Sequence, residues 1–254
     1  MKRKKILLCM LLTAALLAGC NARSVTPLAV GVPTEINGKK FTITTEQAYP
    51  DDDEILAVNA VYGEQTLQLD ESLGVKGIYE VVQKDGTYVL TETGTFNDWR
   101  VVYLLRADEK GITETDAIDG SLGDMPENPK DGFSITSKID VLGSYGGTRT
   151  YTIENGRFTT DSTLYEFRGT PDGYRPVLTV TGEISCRIEG GSTELKPGDV
   201  ITPTAYSEDG GFYFEREDGT PGSFQVDLDE EGNYAYTIGG VDENELFESL
   251  PYVG

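Results

Sequence analysis

The chain has 254 residues, 43 of them acidic and 21 basic, giving a formal net charge of −22, and it contains no histidine. Without histidine there is no Ser-His-Asp or Cys-His catalysis and no His-ligated zinc or haem. So acidic a surface also repels nucleic acid, whose binding depends on Lys and Arg neutralising phosphates.

The N-terminus reads as an address. Met1 to Lys5 is basic, and Ile6 to Leu17 is apolar except for Thr13. That run is too short for a membrane-spanning helix and has the form of a secretory signal. The sequence Leu17-Ala18-Gly19-Cys20 that follows resembles the lipobox of bacterial lipoproteins. The resemblance implies cleavage before Cys20 and a diacylglyceryl group on its sulfur, with palmitate-type chains holding the protein to the bacterial cell membrane, facing out of the cytoplasm. Residues 1–19 carry four of the basic residues and none of the acidic ones, so the processed chain would have a net charge of −26. Such a chain is not drawn to anionic head groups, and the lipid must do the anchoring. Residues 20–34 contain Pro27 and Pro33 and no clear period, as in a tether. Cys9 leaves with the signal and Cys20 is acylated, so Cys186 is left without an intramolecular disulfide partner.

The body alternates short Val-, Ile-, Thr-, Tyr- and Phe-rich runs with turn dipeptides. Asn37-Gly38, Asp85-Gly86, Asp119-Gly120, Asp131-Gly132, Asn155-Gly156, Asp172-Gly173, Asp209-Gly210 and Asp218-Gly219 are of the kind that tolerates the positive φ of hairpin turns. The spacing predicts strands over 55–62, 66–69, 77–83, 87–91 and 99–105, the last nearly continuous apolar as in a central strand. Residues 116–131 have no apolar period and read as a long loop or an internal boundary. Further strands are predicted over 133–139, 149–153 and 164–167. Residues 177–188 form one long strand or two joined at Gly182, with Leu178, Val180, Ile184, Cys186 and Ile188 on one face. Asp242, with Glu245 three residues on, predicts the N-cap of a short helix with Leu246, Phe247 and Leu250 on its apolar side, ending at Pro251.

Leu195-Lys196-Pro197-Gly198-Asp199-Val200-Ile201 leads into a strand, followed by Phe212-Tyr213-Phe214, the Asp218-Gly219 turn and Ser223-Phe224-Gln225-Val226. This run resembles the bacterial SH3-like barrels of cell-envelope proteins. The expected fold is therefore all-β. An antiparallel β domain covers 35–170, with 116–131 as a long loop or an internal boundary within it, and a small SH3-like β-barrel with the C-terminal helix covers 177–254.

Three chemistries are open to such a chain. Asp227, Asp229 and Glu231, followed by Gly232, have the front spacing of a calcium loop, but the twelfth position is Ile238, not Glu. A solvated hairpin turn is the favoured reading there, as a solvated loop is for Asp51 to Glu54. Carboxylate-pair hydrolysis needs two acids at a fixed separation, and 43 carboxylates do not single out a pair. Aromatic recognition remains: Phe212 and Phe214 share a core face, while Tyr213 points the other way and Tyr206 is a neighbour. Tyr206 and Tyr213 are thus the candidate binding residues.

The function expected from sequence is a non-catalytic structural or interaction module of the bacterial envelope. It is lipid-anchored through Cys20, uses no cofactor and has an envelope protein or peptidoglycan as partner. The alternatives are a calcium-stabilised adhesion module and a carboxylate-dependent envelope hydrolase.

Overall fold

Asn-Gly and Asp-Gly turns set the architecture. The computed structural model describes residues 23–47, 55–69, 73–94, 99–169, 175–228 and 235–253. The chain divides into two compact units, 1–133 with 151–159 and 134–150 with 160–254. Both are built of antiparallel sheets, as expected for an all-β chain, and the only helices among the described residues are single turns.

The first unit is a sandwich. Strands β1 (Ser24–Pro27), β2 (Thr34–Ile36), β3 (Lys39–Gln47), β4 (Ile55–Tyr62), β5 (Gln65–Leu69), β6 (Gly74–Gln83), β7 (Gly86–Gly94), β8 (Arg100–Asp108) and β9 (Gly111–Asp119) form two sheets. Their orders are β2-β3-β4-β5 and β1-β6-β7-β8-β9. Asn37 and Gly38, at φ 49° and 76°, close the β2–β3 hairpin with the left-handed pair such a turn requires. Phe41, Ile43, Val58 and Tyr62 of one sheet pack against Ile78, Val89, Tyr103 and Leu105 of the other. Burial of each such side chain stabilises the unit by about 1.5–3 kcal/mol before the entropy of ordering is set against it.

The opposite face of β7 and β8 is buried too, because Tyr88, Leu90, Val102 and Leu104 have no exposed surface. Two short strands (β10, Ser121–Leu122, and β13, Arg157–Thr159), a 3₁₀ turn (Pro129–Asp131) and the far end of β12 (Ser144–Glu154) belong to this unit. The β12–β13 hairpin turns at Asn155 and Gly156, with φ 53° and 74°. A β-carbon on Gly156 would sit 3.6 Å from Tyr88, and Phe158 N–H donates to Asp116 Oδ2 at 2.9 Å.

Two segments differ from expectation. Residues 24–27, in the predicted tether, pair as edge strand β1 with β6 from Ser24↔Val82 to Pro27↔Tyr79. Proline is tolerated there because an edge strand leaves some N–H positions unpaired. The stretch 116–131 contains the end of β9, which pairs with β8 through Asp119↔Val101. Asp116 and Ile118 are half-buried there while Ala117 and Asp119 are exposed, so each face mixes polar and apolar residues and no apolar period shows.

The second unit contains most of β11 (Phe133–Asp140) and the start of β12. It also holds β14 (Leu164–Arg168), β15 (Leu178–Thr179), β16 (Ile184–Ile188), β17 (Gly191–Leu195), β18 (Val200–Ser207), β19 (Gly211–Arg216) and β20 (Pro221–Gln225). The spatial order runs β12-β14-β18-β19-β20-β16-β17, with β15 beside β18. The sheet is not closed by these pairings. Its core gathers Leu178, Val180, Ile184, Cys186, Ile201, Phe212, Phe214 and Phe224. Tyr145 stacks on Phe167 at 4.4 Å and Phe212 on Phe224 at 5.2 Å.

The strands β21 (Asp227–Leu228), β22 (Tyr236–Ile238) and β23 (Val241–Asp242) form a separate small three-stranded sheet. Asp242 then caps one helical turn, Glu243–Leu246, by accepting from Asn244 N–H at 2.8 Å. Phe247 leaves this turn in extended conformation and bridges to Val180, so the predicted helix stops earlier than Pro251. The buried Glu243 carboxylate accepts from Tyr252 Oη at 2.8 Å and fastens the C-terminal segment.

Candidate functional site

Strict alternation in β16, β19 and β20 sorts their side chains onto two faces. Ile184, Cys186, Phe212, Phe214 and Phe224 go inward. Ser185, Arg187, Tyr213 and Gln225 go outward and are exposed, with Ser223 half-buried. The register then places four outward residues in one row across four strands. Tyr213 is opposite Ser223, Ser223 opposite Arg187, and Arg187 opposite Ser192. A concavity of about 440 Å³ opens on this face, lined by that row together with Ser185, Gln225 and Asp209.

The β18–β19 turn fixes one end of the face. Gly210, at φ 89°, makes the turn. Ser207 Oγ accepts from Gly211 N–H at 3.1 Å and donates to the Asp209 carboxylate. Gln225 Nε2 donates to the Asp209 carbonyl. The Ser207 hydroxyl, with help from the Gly211 N–H, holds the Asp209 carboxyl below the usual carboxylate range. It therefore presents a fixed hydrogen-bond acceptor at neutral pH. Among the described residues Arg187 has no ion-pair partner, and its guanidinium is available as a donor.

Of the two tyrosines named from sequence, Tyr213 lies on this face and is 36% exposed. Tyr206 does not join it. A bulge between Pro203 and Ala205 shifts the β18–β19 register, so that Tyr206 falls opposite Phe212 rather than Gly211. It packs half-buried against the core, and burial pushes its phenol up.

The calcium spacing is only partly within reach of the structure. Asp227 is exposed and pairs with Thr237, whereas Asp229 and Glu231 lie outside the described residues, as do Cys20 and Asp51 to Glu54. Among the described residues no three His, Cys, Asp or Glu side chains gather as a metal site. Among the described residues Asp209 is the one carboxylate that lines the concavity. Among the described residues no helix is long and apolar enough to cross a membrane.

Arg187, Ser192, Ser223 and Gln225 were not singled out from sequence. The available signal was the polar half of the alternation that marks the core: every inward Phe or Cys of β16, β19 and β20 implies outward neighbours on a shared face. No known protein family, curated protein or solved structure matches the chain.

Proposed function

We propose that the chain is a lipid-anchored protein of the bacterial cell surface that acts without catalysis, as an interaction module held to the membrane through Cys20. The observation that carries this reading is the outward face of β16, β17, β19 and β20. It is a concave, polar surface with one exposed aromatic side chain, backed by a fully packed core. Convergent polar groups around an aromatic anchor are the usual makeup of a binding surface. Among the described residues a hydrolase using paired acids finds only Asp209 in that lining, where two carboxyl groups are required.

The resemblance of residues 177–238 to an SH3-like barrel is supported by the β18–β19–β20 meander and by the Lys196–Asp199 turn that leads into it. In that turn Asp199 Oδ2 accepts from Lys196 N–H at 2.9 Å. The described pairings give an open roll rather than a closed barrel.

Cell fractionation tests the anchor: the wild-type chain is expected in the membrane fraction with an acylated N-terminus, and Cys20→Ala in the soluble fraction. Affinity capture at low salt with the lipidated chain tests the interaction, with peptidoglycan and envelope proteins offered together. Recovery of neither would contradict the role.

A further inference from the structure

We propose that the outward face of β16, β17, β19 and β20 binds a neutral β-1,4-linked polysaccharide, with one pyranose stacked on Tyr213 and its neighbours hydrogen-bonded by Arg187, Gln225 and Asp209. The inference rests on the reading of this face as the working surface and names the ligand class it takes.

Tyr213 and Gly211 share the outward face two residues apart on β19. A β-carbon on Gly211 would stand 3.2 Å from Tyr213 Cε2 and 3.3 Å from its hydroxyl. The ring therefore leans along the sheet over the glycine instead of standing up into solvent. Its far end packs against the glycine, and the side chain is still 36% exposed. A π-face attracts the electropositive C–H groups of a pyranose, which are themselves apolar and non-ionic.

Polar groups stand beside the ring. A pyranose carries a rim of hydroxyls, each both donor and acceptor. The face supplies both kinds: Arg187 donates only, Asp209 accepts, and Ser223, Ser192 and Gln225 do either. Asp209 is held ionised by Ser207 and the Gly211 N–H, and Gln225 steadies its backbone by donating to its carbonyl. An ionised acceptor forms stronger hydrogen bonds to hydroxyls than a neutral one.

The row Tyr213, Ser223, Arg187, Ser192 crosses four hydrogen-bonded strands. Adjacent strands are about 4.8 Å apart, close to the advance per residue of a β-1,4 pyranose ribbon. A chain lying across the strands thus meets a side chain at each sugar. An α-1,4 chain coils and loses that match.

Charge selects among polymers. The protein carries −22, and among the described residues lining the concavity one guanidinium, Arg187, balances one carboxylate, Asp209. A polyanion is repelled by the whole and gains little locally. An extended peptide recognised through its backbone would add at a sheet edge rather than lie across a face.

Isothermal titration of the full lipidated chain in detergent micelles tests the proposal, with cellotetraose and tetra-N-acetylchitotetraose as probes and maltotetraose as the α-linked control. The expected result is that at least one β-linked tetraose binds and maltotetraose binds about tenfold more weakly. Tyr213→Ala should lose about tenfold in affinity, while Tyr213→Phe, which keeps the ring, stays near wild type. Circular dichroism and the melting temperature confirm that both variants are folded. The proposal is overturned if neither β-linked tetraose binds up to about 10 mM, if maltotetraose binds equally well, or if Tyr213→Ala binds like wild type. Failure of both tetraoses alongside Tyr213-dependent capture of another envelope component would sink the ligand class and leave the binding face standing. Failure of both experiments would remove the face as well.

Discussion

Tyr213 leans back over Gly211, so closely that a β-carbon at position 211 would meet the ring at 3.2 Å and Ser207 Oγ at 2.6 Å. The absence of a side chain at 211 thus serves two neighbours. It lets the Tyr213 ring lie along the sheet, and it lets Ser207 Oγ accept from the Gly211 N–H. Gly211→Ala must push one of them away. Urea denaturation is expected to show a loss of about 1–3 kcal/mol, and Tyr213 should become more exposed to solvent-borne fluorescence quenchers. Unchanged stability together with unchanged quenching would contradict this contact.

Arg149 makes a different kind of anchor in the same unit. Its guanidinium is buried and lies 3.6 Å over the Tyr165 ring. It donates to Thr163 O and Glu208 Oε1 at 2.6 Å and to Leu164 O at 3.3 Å. Lysine has neither the planar fork nor the reach to serve three acceptors at once. Arg149→Lys is expected to cost about 2–4 kcal/mol, since carbonyls lose partners and the ring loses its stacked cation. Glu208 is 61% exposed, so Glu208→Gln should cost less than about 1 kcal/mol. Equal losses for the two variants would place the energy in the ion pair instead.

Tyr88 predicts an alkaline signature in the first unit. Its hydroxyl donates to Asp85 Oδ2 at 2.8 Å, and the side chain is fully buried. Burial first, then the bond to the Asp85 carboxylate, pushes the phenol up to about 12. The native state keeps this proton when the unfolded chain releases it. The stability it contributes is therefore complete below the ordinary phenol value of 10.0 and is lost as pH rises toward about 12. Tyr88→Phe should be less stable than wild type at pH 7 by about 1 kcal/mol, and the gap should narrow as pH climbs through that window. Parallel curves for the two proteins would refute the assignment.

Cys186 is 4% exposed on the inward face of β16, and burial pushes its thiol up. A buried neutral thiol reacts slowly. A thiol reagent should label it in denaturant and leave it unlabelled in the native protein over the same time. Rapid native labelling would mean that β16 opens readily.

These features differ in how plainly the sequence announces them. Asn37-Gly38 and Asn155-Gly156 each adopt the paired left-handed conformations that their dipeptides favour, and Ile55–Tyr62 is the strand its alternation predicts. Local chemistry decides such elements. β1 escaped notice because its strand character comes from its partner β6 and not from its own period. The candidate site follows the same division. Tyr213 is legible as the one outward aromatic between two inward ones. Arg187 joins it only because β20 pairs with β16, a contact distant in sequence and invisible to alternation. Tyr206 is excluded by the single extra residue between Pro203 and Ala205, which turns it to the other face.

Co-sedimentation of the lipidated chain with insoluble envelope material offers the most direct view of how this protein works. Three proteins suffice: wild type, Tyr213→Ala, and Leu228→Ala, which trims an exposed apolar side chain away from the concavity. Wild type and Leu228→Ala should pellet while Tyr213→Ala stays in the supernatant. If all three pellet alike, or none does, the face around Tyr213 is not the surface through which the protein acts.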